Sequence, residues 1–101
     1  MIRTSIDIPE DKIIDFCRRW KITEFSLFGS VLRDDFRPDS DVDVLVAFAK
    51  DSQWDLYDLV YMQDELEAMF GRPAHLVDRD GLRNPFRRRS ILSTRRVIYA
   101  A

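Results

Sequence analysis

Hydrophobic residues are spaced along this chain in two ways, one typical of helices and one typical of strands. Residues 9–21 repeat apolar positions at the three- and four-residue spacing of a helix with one buried side. Pro9 suits the first turn of such a helix, and Arg18 and Arg19 suit its negative C-terminal end. The predicted buried positions are Ile13, Ile14, Phe16, Cys17 and Trp20.

A longer helix is predicted over residues 54–70, with Gly71 as its C-cap and Pro73 just beyond. Tyr57 and Tyr61 lie one turn apart on it and form a candidate partner-facing patch. The side that we expect to be apolar and buried comprises Leu56, Leu59, Val60, Met62, Leu66, Met69 and Phe70. The other side is acidic and carries Asp55, Asp58, Asp64, Glu65 and Glu67.

Four shorter apolar runs predict strands at about 22–28, 41–48, 74–77 and 97–99. Residues 31–35 predict a short helical turn. A last helix from Pro85 to Thr94 is expected to place its apolar residues inward, namely Phe86, Ile91 and Leu92. This alternation of helices and strands predicts an α/β (α+β) fold, a single domain over residues 1–101 with a small mixed sheet covered by helices.

The composition is that of an ordinary globular chain, with 46% hydrophobic and 34% charged residues among 101. No apolar run approaches the ~20 residues of a membrane span. The first residues lack an apolar signal region, so we expect a cytoplasmic protein. The single cysteine, Cys17, fits a reducing compartment and is expected to be a core residue.

Charge is unevenly distributed, although the net charge is only −2. Residues 1–70 carry 8 basic and 16 acidic side chains, whereas residues 71–101 carry 8 arginines and 2 acidic side chains. The arginines of residues 79–96 form either a surface for an anion or acidic partner, or an ordinary solvated helix face.

The stretch that carries chemistry runs from Phe28 to Phe48. A predicted strand ends in Gly29-Ser30, and ten residues later Asp41-Val42-Asp43 open the next strand. Residues two apart on a strand share a face, so the two aspartates are expected to point the same way. Paired carboxylates repel one another, and their hard oxygens suit Mg²⁺ or Mn²⁺, ions that also bind phosphate.

The turn at Gly29-Ser30 suits the other half of such a site. A strand that bends at Gly-Ser into a helical turn leaves backbone N–H groups free to bind a terminal phosphate. Glycine allows close approach of the phosphate, and the Ser30 hydroxyl adds a donor. A phosphate site beside paired carboxylates is what metal-dependent phosphoryl or nucleotidyl transfer requires.

The sequence LFGSVLRDDFRPDSDVDVLV resembles the minimal nucleotidyltransferases of prokaryotes, within the DNA polymerase β-like superfamily. The resemblance implies the nucleotidyltransferase fold, with helices over one face of a mixed sheet. It also implies that Asp41 and Asp43 bind two Mg²⁺ or Mn²⁺ ions and that Gly29 and Ser30 hold nucleotide phosphate. Arg33 matches an arginine for which a triphosphate contact is expected, and a surface ion pair with a nearby aspartate is the alternative.

One position departs from the family pattern. The family usually has a third carboxylate on the strand after the long helix, and this chain has His75 there. A neutral imidazole can act as a base or a metal ligand, although Mg²⁺ prefers oxygen. Three interpretations follow: His75 completes the site, Asp78 replaces the missing carboxylate, or only two carboxylates work and catalysis is weakened or lost.

The resemblance implies a metal-dependent transfer of AMP from ATP to a hydroxyl, expected to be a tyrosine of a partner HEPN-domain RNase toxin. The chain would then act as the antitoxin of that toxin. The alternative is a catalytically weak or inactive antitoxin that neutralises its partner by binding alone. Transfer to RNA or to a small molecule such as an aminoglycoside is less favoured, and the oligomeric state is open.

Overall fold

The computed structural model describes residues 8–29 and 41–101. Within them the sequence-predicted elements form close to their expected positions, and the helical turn predicted at residues 31–35 lies outside the described residues. The helices are α1 (Glu10–Arg19), α2 (Leu56–Phe70) and α3 (Pro85–Thr94), with a short 3₁₀ turn at Arg79–Gly81. The strands are β1 (Ile22–Phe28), β2 (Val42–Phe48), β3 (Ala74–Asp78) and β4 (Arg96–Ala100).

The four strands form a mixed sheet in the order β3-β2-β1-β4. Strand β1 runs antiparallel to both β2 and β4, whereas β2 and β3 are parallel. The parallel pair needs a crossover connection, and α2 supplies it. This topology confirms the predicted fold class. It also brings the starts of β2 and β3 together at one end of the sheet, because the two strands are parallel.

Helices α1 and α2 pack on the same face of the sheet and bury its main apolar core. Phe16 of α1 meets Phe25 of β1 edge to face, with ring centroids 6.2 Å apart. Met62 and Leu66 are the fully buried residues of α2. The same core holds alternate residues of β2, namely Val42, Val44 and Val46.

Helix α3 packs on the opposite face, so the helices do not all cover one face as the resemblance implied. Ile91 of α3 and Leu82 join Phe28 and Leu45 in a second, smaller apolar cluster. The prediction that Phe86 faces inward is wrong, because 85% of its surface is exposed. Ile91 and Leu92 do contact the core.

The ends of α2 follow from its capping residues. Asp55 and Asp58 form a reciprocal capping box, so the helix begins at Leu56 rather than at residue 54. Gly71 closes the helix in the left-handed conformation, as predicted. Leu56 and Val60 were predicted to be buried, but they are largely exposed because they lie on the side of the helix away from Met62.

The predicted structural roles of Cys17 and Trp20 hold. Cys17 is completely buried, and burial raises the pKa of its thiol to about 12. Trp20 packs edge to face against Trp54, with ring centroids 5.1 Å apart. In the part of the chain that the structure describes, no helix has the length and apolar character needed to cross a bilayer.

Candidate active site

The two motif aspartates lie at the start of β2. The strand begins at Val42, so Asp41 directly precedes it and Asp43 is its second residue. Val42 and Val44 point into the core under α1 and α2. Because side chains alternate along a strand, Asp41 and Asp43 belong to the opposite face, which α3 covers only in part.

His75 lies beside these aspartates because β3 runs parallel to β2. In the register of this pair, Asp43 is opposite His75 and Val42 is opposite Ala74. Residues in register on neighbouring strands share a face, so the imidazole lies on the side of the carboxylates. Nε2 of His75 is 2.6 Å from Oδ2 of Asp41.

The hydrogen bond between His75 and Asp41 fixes how the imidazole can act. An ionised carboxylate only accepts hydrogen bonds, and with Asp41 in that form Nε2 of His75 is the donor. In the neutral ring the lone pair is then on Nδ1. About half of each side chain is open to solvent, with 59% exposed for His75 and 44% for Asp41.

Gly29 contacts the second aspartate. Its φ is +77°, a left-handed conformation that side chains strongly disfavour. A Cβ at this position would collide with the Asp43 carboxylate, the nearest atom being Oδ2. The glycine at the end of β1 therefore lets the turn approach Asp43. Ser30 and Arg33, the other predicted phosphate contacts, lie outside the described residues.

Asp78 is not brought to the two aspartates. It is the last residue of β3 and lies opposite Val46, three residues after His75, or roughly 10 Å along the strand. Its side chain accepts a hydrogen bond from the backbone N–H of Asp80 and caps the 3₁₀ turn. The structure therefore gives Asp78 a local capping contact away from the predicted site.

The donor set fits a divalent cation that is shared with a nucleotide. Within residues 8–29 and 41–101 no three His, Cys, Asp or Glu side chains form a preformed metal cluster. Mg²⁺ is commonly held by one or two carboxylates and completes its shell with substrate phosphates and water. Asp41 and Asp43 supply those carboxylates, and the turn at Gly29 is where a phosphate would approach.

The arginine-rich segment has a structural role that the sequence did not reveal. Glu24 of β1 accepts hydrogen bonds from Arg79 at 2.8 Å and from Arg95 at 3.1 Å. Arg88 donates to the backbone carbonyl of Arg79 at 2.9 Å. These contacts hold α3 and the 3₁₀ turn against the sheet, whereas the remaining α3 arginines, Arg87 and Arg89, are exposed.

A comparison with known protein families agrees with this geometry. Residues 10–98 match the model of the nucleotidyltransferase domain family. The chain belongs to this family. The match covers both edges of the sheet and all three helices, so it includes the elements that carry Asp41, Asp43 and His75.

Individual relatives point to the same family. A Methanocaldococcus jannaschii protein, the inferred protein adenylyltransferase MJ1379, is 26% identical over 73 residues, which are 72% of this chain and 73% of that protein. A solved structure of an inferred minimal nucleotidyltransferase is 31% identical, with a TM-score of 0.71 and 86% of each chain covered. The resemblance to minimal nucleotidyltransferases is thereby confirmed.

A third neighbour is solved as a complex. It is the MNT antitoxin bound to the tri-AMPylated HEPN toxin of Shewanella oneidensis. The TM-score is 0.67 and the sequence identity is 21%, over 91% of this chain and 70% of that one. At this identity the likeness shows a shared fold.

Proposed function

We propose that residues 1–101 act as one cytoplasmic nucleotidyltransferase domain that moves AMP from ATP to a hydroxyl of a partner protein. The observation that carries the proposal is the grouping of Asp41, Asp43 and His75 on one face beside the Gly29 turn. The family match supports the reaction type. The AMPylated toxin in the Shewanella oneidensis complex supports a HEPN-type toxin as acceptor, with a tyrosine as the modified residue and antitoxin action as the result.

Asp41 and Asp43 are proposed to hold the divalent ions, Mg²⁺ or Mn²⁺. When bound, these ions neutralise triphosphate charge and orient the phosphates for in-line attack. The two carboxylates lie next to the turn that is expected to receive the phosphates, which is the arrangement this chemistry needs. Gly29 and Ser30 are proposed to bind phosphate oxygens, and Arg33 is proposed to add a positive charge to the triphosphate.

His75 is proposed to take the place of the third carboxylate. Its Nε2–H is donated to Asp41, so Nδ1 is the nitrogen that can accept a proton. In the proposed reaction the acceptor oxygen bonds to the α-phosphorus of ATP while the bond from that phosphorus to the β-phosphate bridging oxygen breaks. Pyrophosphate leaves with that electron pair, AMP stays on the acceptor, and the hydroxyl proton passes to His75.

The proposal is tested by co-expressing the chain with the product of the neighbouring gene. Intact-mass spectrometry is expected to show that protein gaining one or more AMP groups. The gain is expected to vanish in Asp41→Asn/Asp43→Asn while the two proteins still bind each other. An unmodified partner in the presence of ATP and Mg²⁺ or Mn²⁺ would contradict the transferase assignment.

A second function, neutralisation by binding alone, is favoured by one specific observation. The imidazole that stands in the third carboxylate position holds Asp41 in a 2.6 Å hydrogen bond, and a cation would have to compete for that oxygen. The substitution also removes one negative charge from the site. This function predicts that Asp41→Asn/Asp43→Asn still protects cells from the partner and that the partner never gains mass.

A further inference from the structure

Helix α2 presents an apolar surface to solvent on its first two turns. Four large side chains at neighbouring helical positions are between 52% and 76% exposed. They lie away from Met62 and Leu66, which anchor the helix to the sheet. We call this surface the α2 strip, and it consists of Leu56, Tyr57, Val60 and Tyr61.

The α2 strip is unlike the rest of the described surface. The other exposed large apolar residues in residues 8–29 and 41–101 are Phe86 and Val97, which lie singly on other elements. Contiguous exposed apolar surface commonly marks a site of protein association. Tyrosine is enriched at such sites because it offers a large rigid contact area and a hydrogen-bonding group.

A groove of about 250 Å³ adjoins the α2 strip, between the helix and the sheet. Leu56 and Val60 form its helical side, while Phe48 and Leu76 line it from the sheet. A partner lying on the strip could insert an apolar side chain into this groove. The α2 strip and the groove together therefore form a surface with a recess, rather than a flat exposed patch.

The acidic residues around the α2 strip indicate the charge expected on the surface of a partner. Helix α2 contains no Lys or Arg, and its acidic residues include Asp58 and Asp64. Asp64 is exposed and lies one turn after the strip. An acidic border favours a partner whose apolar contact surface is surrounded by Lys and Arg, because opposite charges steer association and fix orientation.

The edge of β3 limits how the partner can bind. This strand is at the edge of the sheet, where an extended peptide could in principle add a further strand. Two of its backbone N–H groups are already bonded to α2 side chains, Ala74 to Glu67 at 3.0 Å and Leu76 to Gln63 at 3.4 Å. These two bonds compete with strand addition at β3, and docking through side chains on the α2 strip is therefore favoured over it.

We propose that the α2 strip docks the protein that receives AMP, through an apolar surface bordered by basic residues; this rests on the proposed function. A second copy of this chain fits less well. Its exposed Phe86 lies beside Arg87 and Arg89, but α3 is on the sheet face opposite α2. Such a contact would join copies head to tail and would not close by a two-fold axis.

The position of the strip predicts how it contributes. Leu56 shares the groove with Asp78 at the end of β3, whereas His75 lies near the start of that strand. The strip is therefore separated from the candidate active site. Binding energy from a remote surface that is equal in ground and transition states lowers KM and leaves kcat unchanged.

The test measures complex formation with the product of the neighbouring gene. Calorimetry of the two proteins without ATP is expected to show that Tyr57→Ser/Tyr61→Ser weakens binding at least tenfold. Both side chains are exposed, so the variant is expected to keep the wild-type circular dichroism and unfolding curve. The matched control is Phe86→Ser, an exposed aromatic on the opposite face, which is expected to bind within threefold of wild type.

Transfer kinetics and salt give two further readouts. Tyr57→Ser/Tyr61→Ser is expected to raise KM for the partner at least tenfold with kcat within threefold. Asp64→Lys is expected to weaken binding, and the loss is expected to shrink as salt rises from 50 to 500 mM. Binding by the tyrosine variant within threefold of wild type overturns the docking proposal, even if AMP transfer is observed.

The failure of one proposal is distinguishable from the failure of the other. Strip-dependent binding without any AMP transfer supports the docking surface and contradicts the transferase. Light scattering of the chain alone tests the second-copy alternative. Concentration-dependent oligomers that disappear in Tyr57→Ser/Tyr61→Ser would assign the strip to self-association and overturn the partner that we propose.

Discussion

The sheet face that carries α3 has charged groups at both ends, and the two groups differ in their exposure to solvent and in how their charges are paired. At the start of β2, Asp41 and Asp43 share the surface with His75, and the Asp41–His75 pair is about half exposed. At the other end, one carboxylate is matched with two guanidinium groups. Glu24 is 19% exposed and Arg95 is 18% exposed, so this second cluster is well shielded from water.

The difference separates charges that support folding from charges that suit a ligand. A largely buried carboxylate with two hydrogen-bonded arginines links three segments distant in sequence, and breaking it leaves desolvated charge behind. Asp41 and Asp43 instead lie together on one face beside His75, where the Asp41–His75 pair is about half open to solvent. Paired carboxylates that a ligand can reach are candidates for function, because a bound cation would offset their mutual repulsion.

The largest effect is expected from Asp43→Asn at the carboxylate end. We expect AMP transfer to fall at least about 100-fold, because one of the two carboxylates that are proposed to hold the cation becomes neutral. The free energy of unfolding is expected to change by less than about 1 kcal/mol, because asparagine keeps the size of the side chain and can still accept hydrogen bonds. Intact-mass assays and urea unfolding measure the two quantities.

Asp51→Asn is the control for that change, because Asp51 is an exposed aspartate whose contact with Lys21 is 3.5 Å long. It is expected to leave both activity and stability unchanged. A loss of several kcal/mol of stability in Asp43→Asn would assign the carboxylate end to folding and remove the contrast between the two ends.

At the arginine end, Glu24→Gln is expected to lower the free energy of unfolding by about 2–3 kcal/mol. The amide cannot balance the two guanidinium groups, which stay largely desolvated. Urea unfolding measures the change, and Asp15→Asn is the control, because Asp15 pairs with Arg19 at a site where it is 69% exposed. The control is expected to cost at most about 1 kcal/mol. Equal losses of stability in Glu24→Gln and Asp15→Asn would show that the greater burial of the Glu24 ion pairs does not make them more important for folding.

Gly29→Ala is expected to lower the free energy of unfolding by about 1–2 kcal/mol, because alanine disfavours the left-handed backbone of this position. The collision of the added Cβ with the Asp43 carboxylate is expected to increase this loss. It is also expected to reduce AMP transfer, since the carboxylate must move. Gly71→Ala is a matched control: φ is +70° there, and nothing lies within 4 Å of an added Cβ. If the two variants lose equal stability and both keep full activity, the contact of Gly29 with Asp43 is of no consequence.

The smallest effect is expected at an exposed pair that joins α1 to α2. Arg19 donates two hydrogen bonds to Glu65, at 2.7 and 3.1 Å, and hydrogen bonding to Arg19 holds the pKa of the Glu65 carboxyl below its usual range. A carboxyl whose pKa is lowered by folding stabilises the protein above its unfolded pKa, about 4.3. That stability is lost as the pH falls through the folded pKa.

Glu65→Gln is therefore expected to cost less than about 1 kcal/mol at pH 7, because solvent screens the pair. Urea unfolding at pH 7 and pH 3 is expected to show a smaller acid destabilisation in the variant than in wild type. An unchanged pH dependence would mean that Glu65 contributes nothing through Arg19.

Much of the chain could be predicted locally. Helix α3 runs from Pro85 to Thr94 as expected, because Asn84 caps it and Pro85 suits its first turn. The β1 span of Ile22–Phe28 also matches, since seven residues bounded by turns carry enough apolar side chains to form a strand. The motif spacing likewise indicated the family, because the glycine turn and the paired aspartates are each set by local sequence.

The errors arose where the partner of a side chain is distant in sequence. Leu56 and Val60 were assigned to the core because an apolar residue on a helix is usually buried. On a helical wheel Val60 is about 160° from Met62, but Leu56 is only about 80° from Leu66, so the exposure of Leu56 depends on which face of α2 packs on the sheet. No local pattern showed that Glu24 would receive Arg79 and Arg95, which are 55 and 71 residues away.

The sequence by itself therefore determined the elements, their capping residues and the two halves of the candidate motif, since each depends on neighbours within a few residues. Only the tertiary structure decided that β3 pairs in parallel with β2 so that His75 reaches Asp41. It also decided that α3 covers the second face and that the α2 strip stays exposed. Those outcomes depend on strand register and on which faces pack together, and both are set by contacts between residues far apart in the chain.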